Sequence, residues 1–212
     1  MTDDAPARIV IGPSAPQSLV DVYLAIRRGA SAFERGWHPG SGLTGTLSAE
    51  QLRCRVIGNA LRELDRFLNL LIDETQAVCG RRSAPGIRNT ANKLTNFRQH
   101  EPGATRDHAR LLALGRSRTC LLYTSGHVAR GDRSGVNQLT IGWWQEEGHS
   151  GTRALRQVAI GDRLRLSDGE VAEAGAYYVG IADSLIEHIG TQRRSSLPEA
   201  PRKATLACPH RE

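Results

Sequence analysis

Lysine, methionine and aromatic residues are scarce in this chain of 212 residues, and long apolar runs are missing. Only Lys93 and Lys203 are lysines, there is one Met, and aromatic residues make up 5%. No apolar run approaches the ~20 residues that a bilayer-spanning helix needs. The first residues, Met1-Thr2-Asp3-Asp4, are acidic where a secretory signal would be basic. These absences predict a cytoplasmic protein with no membrane partner.

Familiar catalytic and cofactor signatures are absent as well. The chain has no Gly-rich phosphate loop ending in Lys-Ser or Lys-Thr, no His-Glu-x-x-His and no Gly-x-Ser-x-Gly. Its four cysteines, at positions 54, 79, 120 and 208, are isolated, which predicts reduced thiols in a chain of this length. Cys208 and His210 are two metal ligands where zinc needs three or four. We expect neither a metal nor a cofactor.

The formal net charge of +6 is distributed unevenly. Residues 81–133, called the basic segment below, hold 11 basic and 3 acidic side chains, a balance of +8. Residues 134–190 hold 4 basic and 8 acidic side chains, a balance of −4, and residues 191–212 are again basic. Such an asymmetry indicates an anionic partner. The preference for Arg over Lys fits either a GC-rich genome or bidentate phosphate binding.

The helix with the clearest sequence signals covers about residues 48–79. Ser48 and Gln51 form a capping box, a broad apolar stripe follows at helical spacing, and Gly80 is placed to end the helix. At ~1.5 Å per residue this helix is roughly 45 Å long. It is the predicted spine of the fold.

Shorter elements surround this helix. A first helix is expected from a Ser14 capping box to about Arg35, a short one around 89–99, and another from a Thr105 cap to about Ser125. Residues 138–161 predict a β-hairpin, and a Ser167–Glu170 capping box starts a last helix that ends at Gly190. The predicted class is a mainly α helical bundle with a small hairpin before the last helix. Residues 14–190 form one domain, 1–13 an extension and 191–212 a disordered basic tail.

Arg118 is the most unusual cation in the basic segment. On a helical wheel it falls among Leu111, Leu114, Leu121 and Leu122. A guanidinium on an apolar face must be paired, must reach solvent, or must face a cavity with an anion. We therefore consider a buried ion pair with an acid such as Asp65 or Asp73, and an anion-binding or catalytic role.

Histidine and tryptophan offer further candidate contacts. His100, His108 and His127 accompany the basic segment, and a histidine beside arginine could transfer protons in phosphodiester cleavage. Lone histidines on loops and in first helical turns are more often ordinary polar residues, and spacing alone does not place these three in one site. Trp143 and Trp144 must point to opposite faces of a strand, so one of them either stacks on a base or partner, or covers the core.

The order of elements resembles the helical HEPN superfamily, named for higher-eukaryote and prokaryote nucleotide-binding proteins. The resemblance covers about residues 14–190: a long helix, a connector with Arg88-Asn89, a basic helix and a capped final helix. It implies a helical fold, and ribonuclease members act as dimers through Arg followed after four to six residues by His. Here Asn92, Lys93 and Leu94 stand where that His is expected, so the resemblance does not supply the catalytic pair. Arg118 with Tyr123 is the nearest substitute.

Three hypotheses follow. The first is RNA or another polyanion bound by the basic segment, with these candidate residues: Arg88, Lys93, Arg98, Arg106, Arg110, Arg116 and Arg118. The second is a homo-oligomeric interaction protein, such as a homodimer, in which the basic segment meets the acidic residues 134–190. The third is a metal-independent ribonuclease, which requires Arg118 and a histidine to converge in one cleft.

Overall fold

The computed structural model describes residues 15–35, 48–81, 86–99, 103–145 and 154–195. Within these ranges the elements are as follows: α1 (Gln17–Glu34), α2 (Ala49–Val78), α3 (Thr90–Phe97), α4 (Ala104–Thr124), β1 (Gln138–Trp144), β2 (Leu155–Ala159) and α5 (Asp168–Ser195). The two strands pair antiparallel. The predicted mainly helical class with a hairpin before the last helix is confirmed. None of the helices in these ranges is both long and apolar enough to cross a bilayer.

Helix α2 is the spine of the bundle. The Gln51 amide donates to Ser48 Oγ at 3.2 Å and the Ser48 amide donates to Gln51 Oε1 at 2.9 Å, which completes the predicted capping box. At the other end Gly80 adopts φ 66° and its amide donates to the Ala77 carbonyl at 3.0 Å. Between these ends α2 contacts each of the other four helices named above.

The core lies along the apolar stripe of α2. The following α2 side chains are at most 3% exposed: Ile57, Leu61, Leu64, Leu68, Leu71 and Ile72. Gly58 allows α4 to approach closely, because a Cβ there would lie 2.7 Å from Leu122 Cγ. The broad stripe therefore serves several neighbouring helices at once, as the sequence pattern predicts.

The hairpin covers one side of α4. A Cβ on Gly142 of β1 would lie 2.3 Å from Leu114 Cγ, so glycine is needed where the strand crosses the helix. The Gly142 amide donates to Ser117 Oγ at 3.2 Å. Next to it, Trp143 is fully buried and its Nε1 donates to the Glu170 carbonyl at 2.5 Å. The inward-facing tryptophan thus belongs to the core.

Helices α1 and α4 both begin without a side-chain cap. The expected cap Ser14 lies outside the described residues, and α1 begins at Gln17 with Pro16 as N-cap and no side-chain cap. The expected Thr105 cap is wrong, because α4 begins at Ala104 and its N-cap is Gly103. Gly103 has φ 90°, which a residue with a Cβ rarely adopts, so backbone conformation rather than a side-chain acceptor starts this helix.

The last helix starts as predicted but ends later. Ser167 Oγ accepts from the Glu170 amide at 3.2 Å, and Glu170 Oε2 accepts from the Ser167 amide at 2.7 Å. α5 then continues past Gly190 to Ser195, because the apolar pattern that ends at Ile189 does not limit backbone hydrogen bonding. Residues 191–195 therefore correct the expected helix end. The rest of the predicted tail and the 1–13 extension lie outside the described residues.

Candidate anion-binding cleft

A hollow of about 750 Å³ opens between α4 and the chain that follows it. We call it the large hollow. Its lining comes from α4, from residues 127–132, from Leu139 of β1, from the start of α3 and from Asp65 of α2. This volume lies within the range of small-molecule sites. The large hollow is therefore the candidate ligand site.

One row of α4 residues forms its floor. Leu111, Gly115, Thr119 and Tyr123 are four positions apart and so lie on one face of the helix, and all four line the hollow. A Cβ added to Gly115 would have no atom within 4 Å. The missing side chain thus leaves open space in the middle of the floor. Tyr123, 80% exposed, stands at the rim.

The opposite wall is the segment 126–132, fixed by backbone pairing with residues 161–164. The Val128 amide donates to the Asp162 carbonyl at 2.9 Å, and the Leu164 amide donates to the Gly126 carbonyl at 2.7 Å. Asp132 ends the wall, where its carboxylate accepts from the Thr140 amide at 2.8 Å and lies 3.0 Å from Arg116 Nε. Backbone hydrogen bonds and the contacts of Asp132 therefore fix the position of this wall.

Arg118 and Asp65 form an ion pair beside the floor. Arg118 Nη1 lies 3.0 Å from Asp65 Oδ2, and the two side chains are 29% and 27% exposed. The predicted pairing with Asp65 is therefore present, although the pair is partly exposed rather than buried. Behind it, burial raises the pKa of Tyr178 well above its usual value, so that hydroxyl stays neutral.

A second hollow, of about 450 Å³, adjoins the first and is called the small hollow. Asp65, Asn89 and Arg118 line both hollows. The remaining lining residues of the small hollow are Arg66, Asn69, Leu70, Arg88 and Thr90. Together the two hollows are lined by five arginines and two aspartates, a formal balance of +3. The combined cleft is electropositive.

Five of the seven predicted contact residues are paired with acids. The pairs are Lys93 with Asp73 at 2.6 Å, Arg98 with Asp107 at 2.8 Å, Arg110 with Glu173 at 2.8 Å, Arg116 with Asp132 at 3.0 Å, and Arg118 with Asp65 at 3.0 Å. These ion pairs join α2, α3, α4, α5 and the wall of the cleft. Only Glu173 belongs to the acidic residues 134–190. Much of the +8 balance is therefore used to hold the fold.

Other cations of the basic segment keep their charge exposed. The exposed arginines without a carboxylate partner in the described part of the chain are Arg81, Arg88, Arg106, Arg130 and Arg133. Of these, Arg88 lines the small hollow and Arg130 the large one. Arg88 was predicted as a contact residue, whereas Arg130 was not singled out. These two arginines are the charges best placed for an anion in the cleft.

Arg106 and Arg110 lie elsewhere, against the outer tryptophan of the hairpin. The Arg106 guanidinium is 4.5 Å from the ring centroid of Trp144, and that of Arg110 is 5.1 Å from the same ring and 4.1 Å from Tyr177. Arg110 Nε also donates to the Gly142 carbonyl at 3.1 Å. Trp144 is therefore covered by the protein's own arginines, which fits its covering role rather than base stacking.

The three candidate histidines do not gather in one place. His100 lies outside the described residues, and His108 Nε2 contacts Asn92 Oδ1 at 2.9 Å. His127 lines the large hollow together with Arg118. Its Nε2 lies 2.8 Å from Arg163 Nη2, so that nitrogen accepts a hydrogen bond from the guanidinium and only Nδ1 is left for proton exchange.

Metal chemistry has no evident site in the ranges that the structure covers. No group of three or more His, Cys, Asp or Glu side chains there could hold a metal ion. Cys54 and Cys120 are buried free thiols. Burial raises the pKa of both thiols, which makes them poor metal ligands and nucleophiles near neutral pH. Cys208 and His210 lie outside the described residues.

Comparisons with known proteins add no relative. No protein-family model matches the chain, and neither the curated proteins nor the solved structures contain a match. The resemblance to the HEPN superfamily therefore stays a prediction.

Sequence reasoning missed the floor of the large hollow. The helical wheel of α4 identified the buried leucines and Arg118, but not the row that ends at Tyr123. One signal was present: Gly115 lies in the middle of the predicted helix, where the low helix propensity of glycine indicates a structural reason for it. The sequence could not predict that Arg130 and Arg66 line the cleft, because it does not distinguish an arginine at a binding site from one on an ordinary solvated surface.

Proposed function

We propose that this protein binds single-stranded RNA in the cleft formed by the two hollows. The observation that carries the proposal is the position of Arg88 and Arg130. Both are exposed cations without an acid partner in the described chain, and both border a hollow with an apolar floor. A single strand needs both features, because cations bind its backbone phosphates and an apolar surface receives its unstacked bases.

The apolar half of the site suits a base. Leu111, Val128 and Leu139 line the large hollow, and the exposed ring of Tyr123 offers a stacking surface at its rim. Base stacking on an aromatic side chain contributes about 1–3 kcal/mol per base and depends little on sequence. Duplex nucleic acid cannot present a base in this way. Single strands are therefore the expected ligand.

Three arginines that line the hollows without contacting Asp65 or Asp132 suit phosphates. They are Arg66, Arg88 and Arg130; in the described residues Arg66 forms an exposed ion pair with Glu63 at 3.6 Å, and the other two have no acid partner. Each phosphate contact to a single strand contributes about 0.7 to the slope of log affinity against log salt.

Free thiols at Cys54 and Cys120 agree with the reducing cytoplasm, where RNA is present.

Filling the large hollow tests the proposal. Gly115→Leu adds a side chain where a Cβ has no neighbour within 4 Å and changes no charge. Affinity of the full chain for a fluorescent oligouridylate, measured by anisotropy, should fall about tenfold or more. Gly180→Leu is the matched control, because Gly180 is an exposed position of α5 where an added Cβ also has no neighbour within 4 Å. Both variants should fold, since leucine favours a helix over glycine.

Two outcomes would overturn the proposal. Equal RNA binding by both glycine variants would place the contact outside the cleft. If the unchanged chain does not bind RNA at low salt, RNA is not the ligand. If the molecular mass of the same sample in solution is then that of a dimer, the homo-oligomer hypothesis is favoured.

Metal-independent RNA cleavage is a second candidate, favoured by one observation. Arg118 and His127 line the same hollow, which meets the requirement for an arginine and a histidine in one cleft. Proton transfer would have to use His127 Nδ1, because Nε2 faces Arg163. If the candidate is correct, the chain cleaves oligouridylate in the presence of EDTA, and His127→Ala abolishes product while RNA binding persists. Intact RNA after long incubation with the unchanged chain would exclude it.

A further inference from the structure

The two hollows are neighbours, because they share three of their lining residues. Asp65, Asn89 and Arg118 line both. Within the described residues Asp65 is the one hydrogen-bond partner of the Arg118 side chain, so four of its five N–H donors are left over. A ligand that extends from one hollow into the other must pass this guanidinium.

The chemistry of the small hollow differs from that of the large one. Arg66, Arg88 and Arg118 line it against the single acid Asp65, a formal balance of +2. Leu70 is its one large apolar lining side chain among the residues described. The large hollow, in contrast, is lined by several leucines and a valine. The small hollow therefore suits an anion, and the large one suits a planar apolar group.

The backbone at the small hollow is held by interactions that leave Arg88 available. Asn69 Nδ2 donates to the Arg88 carbonyl and to Thr90 Oγ1, each at 3.1 Å. Lys93 Nζ donates to Asn69 Oδ1 at 2.8 Å, so both polar atoms of that amide are used within the protein. Lys93 thus fixes the connector to α2 instead of contacting a ligand. Among the described residues, the exposed Arg88 guanidinium makes no such contact.

We infer that the small hollow is a phosphate subsite and that the cleft takes two consecutive nucleotides. The inference rests on the proposed RNA binding and names the length of RNA that the cleft recognises. One base occupies the large hollow, its linking phosphate meets Arg118, and the next phosphate meets Arg88 and Arg66. A mononucleotide fills only the large hollow and reaches Arg118.

Competition by short ligands tests this arrangement. Uridine monophosphate and the 5′-phosphorylated uridine dinucleotide displace labelled oligouridylate from the full chain. The dinucleotide should compete at about tenfold lower concentration, because it adds one charge-assisted phosphate contact. In the double variant R66Q/R88Q this advantage should fall to about twofold. The control R55Q/R133Q removes the same charge from exposed arginines that line neither hollow, and it should keep the advantage.

The outcomes separate this inference from the proposed function. Equal competition by both ligands, or an advantage that survives in R66Q/R88Q, would overturn the subsite while Gly115→Leu still weakens RNA binding. Equal loss in R66Q/R88Q and R55Q/R133Q would also overturn it, because general charge would then explain the effect. No RNA binding by the unchanged chain would overturn the proposed function first.

Discussion

Arg118 of α4 donates from Nη1 to Asp65 Oδ2 of α2 at 3.0 Å, on the wall shared by the two hollows. Neither side chain is sealed from solvent, since 29% and 27% of their surfaces are exposed. An anion in the cleft therefore meets a guanidinium whose positive charge is partly neutralised by Asp65. The pair both joins two helices and limits how strongly Arg118 attracts a ligand.

Removing the competing carboxylate should strengthen RNA binding. Asp65→Asn leaves an amide that no longer neutralises Arg118, and we expect about three- to tenfold tighter binding of oligouridylate by anisotropy. Stability to urea should fall by no more than about 1 kcal/mol, because the pair is partly solvated. Asp183→Asn is the control, since Asp183 pairs with Arg27 at 3.4 Å and lines neither hollow. Equal gains in both variants would show a general charge effect.

Arg130 and Arg133 provide a matched test of charge position. Both are exposed arginines of the same loop, but only Arg130 lines the large hollow. Arg130→Gln should reduce the salt slope of RNA binding by about 0.7, the value of one phosphate contact, and weaken binding at low salt. Arg133→Gln should change the slope little. A larger effect at Arg133 would contradict the position of the cleft.

Gly142 should be intolerant of a side chain. A Cβ there would lie 2.3 Å from Leu114 Cγ and 2.9 Å from the Leu114 amide nitrogen, so Gly142→Ala forces the hairpin and α4 apart. We expect a loss of about 1–3 kcal/mol in urea unfolding. Gly180→Ala, in open space on α5, should instead gain up to about 1 kcal/mol from helix propensity. Equal stability of the two variants would refute this packing.

The buried thiols should resist alkylation. Burial raises the pKa of Cys54 and Cys120, so at about pH 8 fewer of them are thiolates than in an exposed cysteine. Iodoacetamide should label both slowly in the native protein and quickly in urea, as read by peptide mass spectrometry. Because the raised pKa favours the neutral thiols of the folded state, their contribution to stability should fall as pH rises through the folded pKa. Native labelling at the unfolded rate would contradict the burial.

Signals within a few residues were sufficient for much of the helical framework. Ser48 with Gln51, and Ser167 with Glu170, form the capping boxes that the sequence predicts, because both partners lie within one turn. Gly80 ends α2 for an equally local reason. Thr105 failed as a cap, since the left-handed backbone of Gly103 determines the start of α4. A sequence does not reveal such a conformation when several residues nearby are plausible caps.

The sequence by itself determined the helical class, the long α2, the hairpin and the excess of positive charge in residues 81–133. It also indicated that Arg118 needs an acid, because the helical period places that residue among leucines. Only the tertiary structure decided which cations are neutralised. Lys93 meets Asp73 and Arg110 meets Glu173 across 20 and 63 positions of sequence, whereas Arg88 and Arg130 meet no acid in the described chain. Local spacing fixes the side chains on one helix, but charge pairing and the cleft depend on how separate helices pack.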